Sequence, residues 1–132
     1  MVDSQGTPLA VHIAAANLSE VQLIEPTLDR LPFEERVPEH LLYDKAADSD
    51  PLRERLHQER GIELVCSHRR GRKRPKTQDG RARRRLKRRW TVERTHSWFQ
   101  NFRRLTHRYE TAAVRFLGWI HLGCLILTLR RF

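Results

Sequence analysis

Cysteine is scarce in this chain of 132 residues, which contains only Cys66 and Cys124. The two are far apart and have no CxxC pairing or histidine neighbours at ligand spacing, so neither a disulfide scaffold nor a zinc site is indicated. The seven histidines are scattered in the same way. This composition excludes the small disulfide-rich secreted proteins and predicts a reducing, cytoplasmic location.

Long hydrophobic runs are also lacking. The most apolar segment, residues 116–129, is shorter than the ~20 residues that a membrane-spanning helix needs, and it contains His121. The first residues are polar and carry no Lys or Arg, unlike a signal peptide. We therefore expect no membrane partner and predict that 116–129 is a buried core helix.

Acidic residues are nearly absent from the second half of the chain. Residues 67–132 contain 20 Lys and Arg but three Asp and Glu, whereas residues 1–66 contain six Lys and Arg and 13 Asp and Glu. Solubility is the simplest explanation of a charge run, but so large an imbalance favours a polyanionic partner, and DNA phosphates fit it. An anionic membrane fits less well, because large apolar residues are missing from 69–85. The cations predicted to contact phosphates are Arg69, Arg70, Arg72, Lys73, Arg74, Arg84, Arg85, Lys87, Arg88, Arg94 and Arg104.

Strand and helix signals alternate along the chain, which predicts one α/β domain. The predicted strands cover 7–16, 40–44 and 62–66, the first after a turn at residues 3–6. The predicted helices cover 19–30, 50–60, 82–107 and 111–130. Asp50 is the predicted N-cap of the second helix, and Gly61 ends it. The domain thus divides into an acidic α/β part over 1–66, an exposed basic loop over 67–81 and a helical part over 82–132.

Glu93 is a single carboxylate in a basic and aromatic predicted helix. The helical period separates an apolar stripe from a polar face. The stripe comprises Val92, Thr95, Trp98, Phe99, Phe102, Leu105 and Tyr109. The polar face comprises Arg89, Glu93, Ser97, Gln100 and Arg104. A solvated glutamate paired with Arg89 is the plain structural explanation of Glu93.

Asp44 provides a reason to look further, because it directly follows a predicted buried strand. Ligands of α/β proteins bind at the carboxyl ends of strands, although local capping shared with Asp48 and Asp50 would also explain an acid there. Two or three carboxylates brought together hold Mg²⁺, and paired metal ions drive phosphodiester displacement. Asp44 and Glu93 are therefore the candidate metal ligands.

Three stretches carry a family resemblance: Val2-Asp-Ser-Gln-Gly-Thr-Pro-Leu-Ala-Val11, Tyr43-Asp-Lys-Ala-Ala-Asp-Ser-Asp50 and Arg89-Trp-Thr-Val-Glu-Arg-Thr-His-Ser-Trp-Phe-Gln-Asn-Phe-Arg-Arg-Leu105. They resemble bacterial insertion-sequence transposases of the DDE type, of the insertion-sequence-five kind. The resemblance implies an RNase H-like fold. It also implies that Asp44 is the second catalytic acid, that Glu93 is the third, and that Arg89 lies near a DNA phosphate.

The resemblance further implies two Mg²⁺ (or Mn²⁺) ions, and DNA at insertion-sequence ends as the partner. The family's first catalytic Asp precedes the hairpin that contains Asp3, so that acid and its strand are expected to be missing. Ala47 stands where relatives have an aromatic residue. We therefore expect a C-terminal half of a transposase, inactive alone, that is either a remnant or the second frame of a split gene. The alternatives are a non-enzymatic DNA-binding fragment, and a second-frame subunit that completes an upstream polypeptide carrying the first strand and first Asp. The expected protein partner is that upstream-frame polypeptide or a further copy in a homo-oligomer.

Overall fold

The computed structural model describes residues 1–32, 37–71 and 84–130. The chain divides into two compact units. We call residues 19–24 and 33–89 the sheet unit, and residues 1–18, 25–32 and 90–132 the helical unit. Helix α1, Glu20–Leu28, belongs to both. At its start the Gln22 side chain accepts a hydrogen bond from the Ser19 backbone N–H at 3.3 Å, as the capping pattern predicts.

The sheet unit is a strand–helix–strand arrangement. Strands β1 (His40–Tyr43) and β2 (Glu63–Cys66) are parallel, with His40 opposite Glu63 and Tyr43 opposite Cys66. Helix α2 (Asp50–Arg60) connects them and packs on β2 through the buried Leu52 and Leu56. The mixed helix and strand content confirms the predicted class, and the predicted strands over 40–44 and 62–66 both form.

Helix α2 begins one residue earlier than the capping signal predicted. Ser49, not Asp50, is the N-cap, and its side chain accepts from the Leu52 backbone N–H. Asp50 is instead the first helical residue, where a carboxylate interacts favourably with the helix dipole. Gly61 ends the helix in the left-handed conformation at φ 66°, as predicted.

The predicted strand over 7–16 does not form. The turn at residues 3–6 is present, and an antiparallel bridge joins Val2 to Pro8, but the pairing extends no further among the residues that the structure describes. Alternation of apolar residues supplies a face, but a strand also needs a neighbour for its backbone groups. Here Met1 and Asp3 bond to the backbone of Thr7, Leu9 and Ala10. Across residues 1–32, 37–71 and 84–130, the sheet has two strands.

The helical unit contains three helices in its described part downstream of residue 90: α3 (Trp90–Phe99), α4 (Arg103–Thr106) and α5 (Ala113–Leu129). The predicted continuous helix over 82–107 is therefore wrong. The helix ends at Phe99, and the backbone of Phe102 is extended, with φ −95° and ψ 105°. The Thr106 hydroxyl donates to the carbonyls of Gln100 and Phe102 at 3.0 and 3.3 Å, a side-chain competition that favours the break.

Helix α5 is not the buried core helix that its apolar sequence predicted. Only Gly123 and Leu127 are buried, while Leu122, Leu125 and Leu129 are 44%, 53% and 62% exposed. Periodicity does not show which sides of an all-apolar helix are covered. Within the described ranges, no helix combines the length and the apolar character that crossing a membrane requires.

Candidate functional site

A group of polar side chains of the sheet unit lies at the carboxyl end of the parallel strands. Asp44 directly follows β1, and its side chain caps a short 3-10 helix, Lys45–Ala47, by accepting the Lys45 N–H. The same carboxylate lies 3.2 Å from Arg89, Nη1 to Oδ1. The structure therefore brings together two residues that were predicted separately, and it also shows the local capping that was the plain explanation of Asp44.

The Asp44–Arg89 ion pair is accessible and weak. The two side chains are 49% and 42% exposed, and ion pairs of that exposure contribute about 0–1 kcal/mol. A phosphate could replace Asp44 as the partner of Arg89, and a cation could replace Arg89 as the partner of Asp44, at little energetic cost. The pair is therefore open to exchange with ligands.

A buried network holds the segment that follows Asp44. The Asp48 carboxylate, only 2% exposed, accepts from the Arg69 backbone N–H at 2.9 Å, from Arg53 at 3.3 Å and from His68 Nδ1 at 3.0 Å. Burial opposes ionisation, but these hydrogen bonds prevail and lower the pKa of Asp48 to about 2. Asp48 therefore stays ionised and fixes the loop from β2 against the turn after β1.

Arg69 completes that network with its side chain. Its guanidinium donates to the backbone carbonyls of Lys45 and Ala46, at 3.2 and 2.6 Å. It was predicted to contact phosphate, yet its Nε and Nη2 here donate to the turn that carries Asp44. From the sequence, Asp48 was interpreted only as a capping residue, and neither His68 nor Arg53 could be found. The Asp44-Lys-Ala-Ala-Asp48 spacing was the available signal.

Glu93 is exposed on α3, and the residues that hold the helix lie on its other side. Thr91 and Thr95, two positions before and after Glu93, are buried at 5% and 1% exposure. The Thr95 hydroxyl donates to the Gly6 carbonyl at 2.8 Å. This contact attaches the amino-terminal turn to α3. Because side chains two positions apart point to different sides of a helix, it leaves Glu93 facing solvent.

Arg94 packs against neighbouring residues of its own unit. Its guanidinium lies over the rings of Trp90 and Trp98, at 4.5 and 5.0 Å from their centroids, and donates to the Gln5 carbonyl. Cation–π contacts of this kind stabilise a partly buried arginine. Arg94 was predicted to contact phosphate, but here it connects α3 to the same turn that Thr95 holds.

The other predicted phosphate contacts differ in accessibility. Arg70, Arg84, Lys87 and Arg88 are exposed. Arg85 lies 3.2 Å from Glu63, and Arg104, beyond the helix break, lies 3.1 Å from Glu110. Arg104 therefore does not continue the face of α3 that carries Glu93. Arg72, Lys73 and Arg74 lie outside the described residues.

Asp3 shapes the amino-terminal turn. Its Oδ1 accepts the backbone N–H groups of Gln5 and Thr7, both at 2.8 Å. This is an Asx turn, in which the carboxylate replaces backbone partners. The role agrees with the interpretation of Asp3 as a hairpin residue.

Carboxylate oxygens are suitable ligands for a divalent metal, but the residues present do not build a complete site. In the described part of the chain, no group of three or more His, Cys, Asp or Glu side chains could hold a metal ion. Asp44 already accepts hydrogen bonds through Oδ1. We therefore assign no reaction step to a metal held by these residues alone.

Comparison with known proteins adds a family. The family model "Transposase DDE domain" matches residues 1–129. A curated relative, "Putative transposase for insertion sequence element IS402" from Burkholderia cepacia, is 36% identical over 141 residues. The alignment covers 99% of this chain and 63% of the relative, so the chain spans less than two thirds of the relative's length. No solved structure matches.

Proposed function

Because this chain belongs to the DDE transposase family, we propose that it forms the carboxyl-terminal part of an enzyme that cuts and joins DNA at the ends of an insertion sequence. The observation that carries the proposal is the accessible Asp44 at the carboxyl end of β1, 3.2 Å from Arg89. An RNase H-like arrangement and membership of the insertion-sequence-five branch belong to the same proposal. Their support is the parallel β1–β2 pair and the three sequence motifs.

We assign roles as follows. Asp44 and Glu93 are the second and third acids of the reaction centre, and in the assembled enzyme they would bind Mg²⁺ or Mn²⁺. Arg89 holds a DNA phosphate beside Asp44. The first acid would come from a segment outside these 132 residues, such as an upstream-frame polypeptide. The 132-residue polypeptide alone would then be inactive.

A plasmid-nicking assay tests the catalytic part. Supercoiled plasmid with Mg²⁺ or Mn²⁺ should stay intact with the 132-residue polypeptide alone. It should be nicked after co-expression with the reading frame upstream of Met1. Glu93→Gln should abolish that nicking, whereas Glu54→Gln on α2 makes the same charge change and should preserve it. Metal-dependent nicking by the polypeptide alone that disappears in Glu93→Gln would disprove its inactivity.

The second candidate function is DNA binding without catalysis, favoured by the exposed Arg70, Arg84, Lys87 and Arg88. Counterion release makes affinity fall with salt, with a logarithmic slope of about 0.9 for each phosphate contacted. Replacing Arg84, Lys87 and Arg88 together by Gln should reduce the slope by between about two and three. Arg55→Gln, in the acidic half, serves as the control. A flat salt dependence for the unaltered chain would refute DNA binding by this basic segment.

A further inference from the structure

A cavity in the helical unit lies at the connection between α4 and α5. Its lining includes Arg104, Tyr109, Glu110, Arg115, Trp119 and Leu122. None of these residues belongs to the candidate site around Asp44 or to the buried contacts of α3. The lining combines two aromatic rings, two arginines and one carboxylate, a set that recognises planar polar molecules better than apolar ones.

Arg104 organises the aromatic part of the cavity. Its guanidinium lies 5.7 Å from the centroid of Tyr109 and 5.3 Å from that of Trp119. The two residues remain 59% and 38% exposed, so their rings keep accessible surface beyond the contact with the guanidinium. Exposed aromatic and guanidinium planes are stacking surfaces for a planar ligand.

Glu110 supplies the polar part. It is one of three acids within residues 67–132, and its side chain is only 8% exposed. Oε1 accepts from Arg104 at 3.1 Å, but Oε2 is buried and no residue in the described ranges donates to it. A buried acceptor without a partner is costly, about 1–3 kcal/mol, and more for a charged group. The site is therefore incomplete without a donor.

The connecting segment is shaped so that Glu110 keeps its place. Arg108 donates from Nε to the Glu110 carbonyl at 2.9 Å and from Nη2 to the Thr111 carbonyl at 3.3 Å. Its guanidinium also lies 5.3 Å from the ring centroid of Phe116, on α5. The loop is thus tied to the helix that follows it, so the backbone position of Glu110 is set before a ligand arrives.

We propose that this cavity binds an unpaired nucleobase that carries an exocyclic amino group. The base stacks on the ring of Trp119 or Tyr109, and its amino group donates to Glu110 Oε2 once the carboxylate turns about its last torsion, which has a broad minimum. Arg115, exposed on the rim, meets the phosphate of the same nucleotide. The inference rests on the proposed function, since it takes DNA as the ligand.

Other ligands satisfy the lining less well. Arg104 and Arg115 would repel an organic cation, and the buried carboxylate of Glu110 would repel a free phosphate. A metal ion would need further ligands, and the described residues offer no cluster of three. Thymine carries a carbonyl where cytosine carries its amino group, so thymine would place this acceptor against Glu110 Oε2, which is also an acceptor. Cytosine and thymine are therefore a matched pair of probes.

The test uses the 132-residue polypeptide and three DNA duplexes of one sequence: fully paired, with one bulged cytosine, and with one bulged thymine. Affinities are measured by fluorescence anisotropy at one fixed, moderate salt concentration. The bulged cytosine should bind roughly tenfold more tightly than the bulged thymine, because a hydrogen bond to a charged group has about that effect.

Glu110→Gln should reduce this difference to about twofold or less, while Glu54→Gln, the matched charge change, should keep it. Trp119→Leu should weaken both bulged duplexes roughly tenfold, since stacking is lost. Tyr109→Ala, at an exposed position, repeats the stacking test should Trp119→Leu fail to fold.

Each outcome decides the inference. Equal affinity for the two bulges, or a cytosine preference that survives in Glu110→Gln, overturns it. Binding of the fully paired duplex with no gain from either bulge overturns the inference but leaves the proposed DNA-binding function standing. If none of the three duplexes is bound, both fall.

Discussion

The contact between the amino-terminal turn and α3 predicts a specific sensitivity at Gly6. Gly6 is buried with φ 83°, a conformation in which a residue with a Cβ costs about 1–2 kcal/mol. A Cβ built there would lie 2.8 Å from Thr95 Oγ1 and 3.0 Å from Thr91 Cγ2. Both distances are too short, and the two threonines are β-branched and stiff. The turn would have to move off the helix.

Three terms contribute to the cost of Gly6→Ala. Moving the turn stretches the hydrogen bond from Thr95 to the Gly6 carbonyl, which contributes about 1 kcal/mol. Overpacking of a well-filled contact costs about 1–3 kcal/mol. With the backbone penalty, Gly6→Ala should lower the free energy of unfolding by about 4 kcal/mol, or by less where the turn relaxes.

Urea unfolding followed by far-UV circular dichroism measures this. Gly61→Ala is the control, because Gly61 also has a positive φ of 66° but a Cβ added to it would meet nothing within 4 Å, so only the backbone penalty of about 1–2 kcal/mol applies. Thr91→Ala should remove part of the clash, so the Gly6→Ala and Thr91→Ala double variant should be less destabilised than the sum of the single ones. Equal costs for Gly6→Ala and Gly61→Ala, with no such coupling, would refute the packing argument.

Two further stability predictions follow from the buried contacts. The pKa of Asp48 is lowered to about 2 from 3.8, which implies about 2 kcal/mol of stability that is present above about pH 4 and is lost as the pH falls to about 2. Asp48→Asn should therefore lower the free energy of unfolding at pH 7 by about that amount, and it should reduce the fall of that free energy between about pH 4 and about pH 2. The same fall in the variant as in the unaltered chain would contradict the network. A Cβ at Gly123 would lie 3.0 Å from Leu105 Cδ1 and 3.2 Å from Phe99 Cε1, so Gly123→Ala should lower the unfolding free energy by about 1–3 kcal/mol, whereas Gly118→Ala, with open space around it, should stabilise α5 by about 0.5–1 kcal/mol. The same thermal or urea melts measure both glycine variants, and a stabilising Gly123→Ala would show that α5 does not approach Phe99 and Leu105 this closely.

The catalytic assignment depends on sequence more than on geometry. The order of the three motifs predicted the transposase family, and the family match confirms it. Asp44 could be placed from its sequence alone, because an acid after a buried strand must lie at the strand's end. The roles of Asp44, Glu93 and the phosphate-binding arginines remain proposals, since they concern a complex with DNA.

Local signals determined much of the fold. Strands β1 and β2, helix α2 with its glycine stop, and the turn around Asp3 each follow from residues close together in the chain. The predicted helix over 82–107 failed because its apolar period continues through Gln100–Phe102, where side-chain hydrogen bonds to carbonyls favour a break. Period alone does not report such competition.

Tertiary structure decided what each charged residue does. In the sequence, Arg69, Arg89, Arg94 and Arg104 are equivalent cations in one basic field, and charge counting predicts the same phosphate partner for all. Their actual partners are respectively backbone carbonyls, Asp44, two indole rings and Glu110. The sequence by itself determined the family and several local elements, and its charge predicts a polyanionic partner, because these depend on composition and on neighbours along the chain. Only the folded chain could decide which cations stay accessible, because this depends on residues that are distant in sequence. The same holds for the burial of Glu110, whose Oε2 accepts from no donor in the described residues.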